Sequence, residues 1–223
     1  MSRYKEKKDC YGKILCGCAD SCWMVALCLL YASSAFAVES TWLVDGAVST
    51  VAHEVDSESS GPIPLADAKG GIFGEEVEIL CGGTDLGTIG AGKADRTESI
   101  TVSSCVTDKG ICPAPGAEPI NLPWSTRIEL ISRIFYDDII AAGGSGTVGY
   151  HVLCSKIVED TCELDLARAL LENNGLGVNV VFSSTDANQP KANCTRGGAE
   201  AGLVNGTDFV LSETGLTVAV SEA

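Results

Sequence analysis

The chain of 223 residues has only two histidines, His53 and His151, so imidazole chemistry has few places to sit. His151 follows Ser145 and the acidic pair Asp137-Asp138, which together are the residue types of a hydrolase triad. That chemistry needs a nucleophile exposed on a sharp turn and an acid that orients the imidazole. No G-x-S-x-G elbow occurs and no acid is spaced to serve His151, so a secreted hydrolase using His151 is only an alternative reading. Gly144 to Gly149 spell a literal G-x-G-x-x-G, but the YHVLC that follows reads as strand where a dinucleotide fingerprint requires a helix. A calcium loop would need several carboxylates converging, and Asp56-Ser57-Glu58 is the one hint of it. Trp124 is the one aromatic with a functional option, as a stacking platform for sugar; its ordinary reading is a core residue. His53 reads as a surface residue. No catalytic, cofactor-binding or metal-ligating residue is assigned, and no cofactor is expected.

Sulfur is more abundant, with 11 cysteines. Five of them fall in residues 1–37, which begin basic, continue as an apolar run from Trp23 to Tyr31 and end in Ala35-Phe36-Ala37. That order is the grammar of a secretory signal peptide, here of bacterial appearance, cleaved after Ala37. An uncleaved anchor is disfavoured, because the run falls short of about 20 residues and Asp20 interrupts it upstream. No stable membrane insertion is expected after cleavage. The six remaining cysteines, Cys81, Cys105, Cys112, Cys154, Cys162 and Cys194, imply three disulfides in an exported chain. No C-x-x-C spacing suggests zinc or a redox pair. Closeness in sequence gives the expected pairs Cys105–Cys112 and Cys154–Cys162, which leaves Cys81–Cys194 to tie early chain to late.

Acidic residues number 30 against 15 basic, a formal charge of −15. Phosphate backbones and anionic membrane surfaces repel such a chain, so nucleic acid is excluded as a partner. A partner at the cell surface or outside the cell remains open, and its identity is not readable.

The elements that must position these residues read as strands. Thr41–Val44 runs into an Asp45-Gly46 turn, 74–81 and 98–105 alternate apolar with polar, and 126–134 and 136–140 look like a strand and its return. Residues 178–182 and the terminal 215–221 are further strands. Residues 55–69 read as a loop, with Asp137-Asp138 exposed and Pro113, Pro115 and Pro119 breaking regular structure. Residues 163–172 carry helix formers, so a short helix competes there with a hairpin about Asn173-Asn174-Gly175. The fold expected is all-β: a disulfide-stapled β-sandwich, Ig-like or related, as a single domain over 38–223.

Trp42 near a Gly turn, Cys81 followed by Gly87-Thr88-Ile89-Gly90, Asn121-Leu122-Pro123-Trp124, and the Asp160-Thr161-Cys162 triplet carry one resemblance. In these the chain resembles a loose group of exported, cysteine-containing bacterial hypothetical proteins with a Leu-Pro-Trp motif. That group has no established activity, so the resemblance implies no site residues. The function expected is a non-enzymatic, exported structural or binding protein. The alternatives are a carbohydrate- or calcium-binding module and the His151 hydrolase.

Overall fold

Alternation of inward and outward side chains governs the chain. In the computed structural model, residues 39–71, 74–90, 94–107, 112, 114–154 and 158–222 are described. The leader and its cleavage site lie outside them. The strands are β1 (Ser40–Val44), β2 (Ala47–Val48), β3 (His53–Ser59), β4 (Ile63–Asp67), β5 (Val77–Ile89) and β6 (Ala94–Val106). Then follow β7 (Pro115–Ile120), β8 (Trp124–Ile131), β9 (Ile134–Ala141), β10 (Val148–Cys154), β11 (Val158–Leu164) and β12 (Ala167–Asn174). The last are β13 (Gly177–Phe182), β14 (Ala192–Cys194), β15 (Gly198–Val204), β16 (Gly206–Ser212) and β17 (Val218–Glu222).

Eight strands close a ring in the order β3-β16-β13-β12-β9-β8-β6-β5, because β5 pairs back onto β3 from Ile89↔His53 to Thr84↔Glu58. The core is therefore a closed barrel and not the expected sandwich. The alternation that suggested two sheets is equally that of one sheet curled shut. The closing strand is β3, which lies largely in the stretch 55–69 whose composition predicts a loop. Its acidic-serine run alternates, with Val55 and Ser57 buried and Glu54, Asp56 and Glu58 exposed. A buried serine in the inward phase hides such a strand from any apolar pattern.

Strands β5 and β6 are each 13 residues long and serve two sheets. The first half of β5 pairs with β4, which begins a second sheet in the order β5-β4-β15-β14-β11-β10-β7, and β7 then lies against β6. Two register shifts in the β5–β6 pair, at Leu80/Gly82 and Leu86/Gly87, bend the hairpin between its two duties. Pro115 and Pro119 sit in β7, whose only hydrogen-bonded partner among the described residues is β10. Proline is tolerated on such an edge, so it does not break structure here.

Residues 163–172 hold the end of β11, a bend at 165–166 and most of β12, with no helix. Strand β12 is flanked by β9 and β13, and a ladder on both sides outweighs helix propensity. It turns into β13 at Gly175, φ 65°, as the hairpin reading expected. Among the described residues there is no helix long and apolar enough to cross a membrane.

All three disulfides pair differently from the expectation: Cys81–Cys105, Cys112–Cys154 and Cys162–Cys194. Register explains why. Across the β10–β11 hairpin, Cys154 faces Val158 and Cys162 faces Tyr150, so Cys154 and Cys162 stand four residues out of step, about 13 Å along the strand. Cys162 is directly opposite Cys194 on β14 instead. Cys81 and Cys194 are separated by β4 and β15, three strand spacings or about 14 Å, beyond the reach of a disulfide. Cys105 lies opposite Cys81 across the first bulge, which leaves Cys112 to Cys154 at the end of β10. All six sulfurs pack in or against the core of the second sheet with Ile79, Tyr150 and Val152.

Candidate ligand site in the barrel lumen

The three-stranded sheet β17-β1-β2 supplies Trp42, Val44, Val218 and Val220, which pack on Ile89, Ile128, Leu171 and Val178 of the barrel wall. This closes one end of the barrel with apolar side chains. Beyond that floor the inward positions turn acidic. A cavity of about 250 Å³ is lined by Asp85, Asp95, Asp137 and Asp208, with Ser57 and Thr126 among them. It continues past Trp124, Ile139 and Phe182 towards Leu65, Tyr150 and Val204 of the second sheet.

Strand geometry puts these acids inside. Asp85 is in phase with Val77, Ile79, Cys81 and Ile89 along β5, and Asp137 with Ile139 and Ala141 along β9. Asp95 pairs across to Thr126 on β8 and to Ile89 on β5. Its Oδ2 accepts the indole N–H of Trp42 at 3.0 Å. Four buried atoms along this wall have no hydrogen-bond partner: Ser57 Oγ, Asp95 Oδ1, Thr126 Oγ1 and Asp137 Oδ1. Buried polar atoms are nearly always partnered, so four orphans on one cavity form a pattern.

The electrostatics follow from burial. It pushes Asp137 up to about 7, with the charge of Asp138 adding and the Arg127 amide and the nearby Thr126 hydroxyl, which lies outside hydrogen-bond geometry, pulling back. Burial, then the charge of Asp137, holds Asp95 well above the usual carboxylate range, against the Trp42 indole. Asp208 rises to about 7 through burial and then the charge of Asp85, and Asp85 itself rises to about 6 through burial. Among the described residues none of these four carboxylates has an ion-pair partner.

Asp138, the next residue, shows the contrast. It points to the outside of the barrel, yet it is only 2% exposed, because Arg168 of β12 covers it. Arg168 donates to both carboxylate oxygens, with Nη2 to Oδ2 at 2.9 Å, and its guanidinium lies 5.9 Å from the ring centre of Tyr136. The Tyr136 hydroxyl donates to Asp186 at 3.1 Å. The expectation that Asp137-Asp138 is exposed is therefore corrected on both faces: one acid is covered by the lumen, the other by an arginine.

A second acid pair, Asp67 and Asp160, lies in the other sheet. Asp67 accepts the amides of Lys69 and Gly197, both at 2.8 Å, and Asp160 accepts that of Arg196 at 3.0 Å. Burial, then the contact with Asp67, raises Asp160 to about 6. With Cys162 and Cys194 they form the only close group of three or more metal-type ligands among the described residues, but those two sulfurs are bonded to each other.

His151 alternates with the buried Tyr150 and Val152 and stands across from Thr161 and Glu118. Neither Asp137 nor Asp138 is brought to it. Asp56 and Glu58 share the outer face of β3 and converge on no loop. Trp124 donates its indole N–H to the Ile120 carbonyl at 2.8 Å and packs on Ile139, Ala141 and Val148. It is partly buried against that cluster and also borders the cavity. Sequence reading missed Asp85, Asp95, Asp208 and Ser57. The available signal was an acid in the inward phase of an alternating strand, clearest at Asp85. Comparison with protein-family models, curated proteins and solved structures gives no match.

Proposed function

We propose that this chain is an exported, non-enzymatic binding protein that holds a small ligand inside its eight-stranded barrel. The observation that carries this reading is the cavity of about 250 Å³ on which four buried polar atoms stand unpartnered. Eight-stranded barrels are just wide enough to be filled by side chains or to hold one small ligand. Leaving a buried donor or acceptor unpaired costs about 1–3 kcal/mol, which a bound ligand would recover. Three disulfides favour an oxidising, extracytoplasmic compartment. The membership in a group of exported bacterial proteins that the sequence motifs suggest is part of the same proposal.

The test is a thermal-shift screen of the purified protein against small organic molecules, glycans and divalent ions. A ligand that raises the melting temperature of the wild type and not of Thr97→Phe, which puts a ring into the cavity, supports the reading. If every shift found survives Thr97→Phe, the lumen is not the site.

A further inference from the structure

The lumen offers its ligand an unusual set of groups. Asp95 Oδ1, Asp137 Oδ1 and Thr126 Oγ1 are all without a partner, and Asp137 and Thr126 are each only 7% exposed. Thr126 lies between the two acids, opposite Asp95 on β6 and two residues out of register with Asp137 on β9. The arginines of neighbouring strands are engaged elsewhere, Arg96 with Glu98, Arg127 with Glu129, and Arg168 with Asp138, and Lys191, which also borders the cavity, is exposed to solvent. What is absent is a compact cation with several donors. A metal ion would need at least three ligand oxygens drawn together, and among the described residues the lumen acids form no such group. An ammonium has three N–H donors, which matches two carboxylates and a hydroxyl. Past these groups the cavity becomes apolar along Trp124, Ile139 and Phe182.

We propose that the lumen binds a small organic amine, its ammonium between Asp95, Asp137 and Thr126 and its apolar body along Trp124, Ile139 and Phe182. This rests on the lumen being the ligand site. A cavity of about 150 Å³ holds benzene, so the 250 Å³ here suits a body of roughly ten non-hydrogen atoms. An aromatic wall beside a carboxylate also suits an ammonium through its ring faces. The raised acids add a pH signature. Asp137 faces Asp95 from β6 and Thr126 from β8, with Asp138 behind it and Asp85 and Asp208 further along the lumen. Asp137, raised to about 7, loses its charge as pH falls from 8 to 5, and Asp95 is shifted in the same direction.

The experiment is isothermal titration of the purified protein with 2-phenylethylamine and hexylamine at pH 8 and pH 5. 2-Phenylethanol serves as the neutral isostere and calcium chloride as the metal control. The expected result is saturable amine binding at pH 8, weakened at least tenfold at pH 5, in Asp95→Asn and in Asp137→Asn, and no measurable binding of the alcohol. Asn keeps the shape of Asp, and near-ultraviolet circular dichroism verifies that each variant is folded. No amine binding at pH 8, equal binding of the alcohol, or amine binding that both variants retain would each overturn the proposal. Calcium binding abolished by the same two variants would overturn it in favour of a metal site. Neutral ligands that bind and are blocked by Thr97→Phe would overturn the amine alone and leave the lumen as a binding site. No lumen-dependent ligand of any kind would sink both readings.

Discussion

Asp137 and Asp138 are neighbours in sequence, both buried, and opposite in energetic sense. Asp138 is neutralised by Arg168, which is itself 18% exposed. Removing one partner of a buried pair leaves the other charge stranded, so Asp138→Asn should cost about 3 kcal/mol in urea denaturation. Asp137 has no cation, and its pKa is raised from 3.8 to about 7. A carboxyl with a raised folded-state pKa stabilises fully below its unfolded value and loses that contribution as pH rises to the folded one. Asp137→Asn should therefore raise the melting temperature of the ligand-free protein at pH 8 and change it little at pH 4. Composition and spacing could not separate these two residues. Which acid meets an arginine depends on Arg168 lying opposite Asp138 on β12, a register fixed only by the folded sheet.

At the scale of elements, the strands with clean alternation were legible: β1 with its Asp45-Gly46 turn, β13, and the terminal β17. Those with polar residues facing inward were not, above all β3, and with it went the closure of the barrel. The β8–β9 turn was equally obscure, because it is made by Ser132 and Arg133 at φ 53° and 68° and not by the glycine or asparagine that usually marks it. Disulfide pairing was illegible for a related reason. It follows register across strands that are distant in sequence, as between Cys162 and Cys194. Replacing both of these cysteines by alanine should lower stability by about 3–4 kcal/mol in the chain-entropy model, for a sequence separation of 32. Gly149 belongs to the same register. At φ 153° in β10, its added Cβ would press on the backbone of Cys162 and Glu163. Gly149→Ala should cost roughly 2–4 kcal/mol by urea unfolding of the oxidised protein.

Across the whole molecule, the raised acids act in one direction. Asp85, Asp137, Asp160 and Asp208 all titrate at about 6 to 7 in the fold, against 3.8 as the ordinary value. Each takes stability away as pH climbs from about 4 to about 7. The ligand-free protein should melt higher at pH 5 than at pH 8, a difference that differential scanning calorimetry would measure. A formal charge of −15 adds self-repulsion at neutral pH. Raising ionic strength from about 0.01 to 0.15 M, which shortens the screening length from about 30 to 8 Å, should recover part of the loss. This acidity was plain in the sequence. That part of it is gathered inside a lumen was not, since a count of charges carries no information on which face of a strand they occupy.

The pairing of β1 with β17 sets Ser40 directly opposite Glu222, so both ends of the described chain leave from one corner of the small sheet. That sheet is also the floor of the lumen, and its Trp42 holds Asp95. Tension applied between the two ends would meet this antiparallel pair in an unzipping geometry, in which hydrogen bonds yield one after another instead of sharing the load. The first element to peel away would be the stopper. The ring behind it, whose hydrogen bonding is continuous, would stay shut around its sides. A tethered copy of this protein under modest pull would open like a bottle, from the base, and bare its lumen before it unravelled.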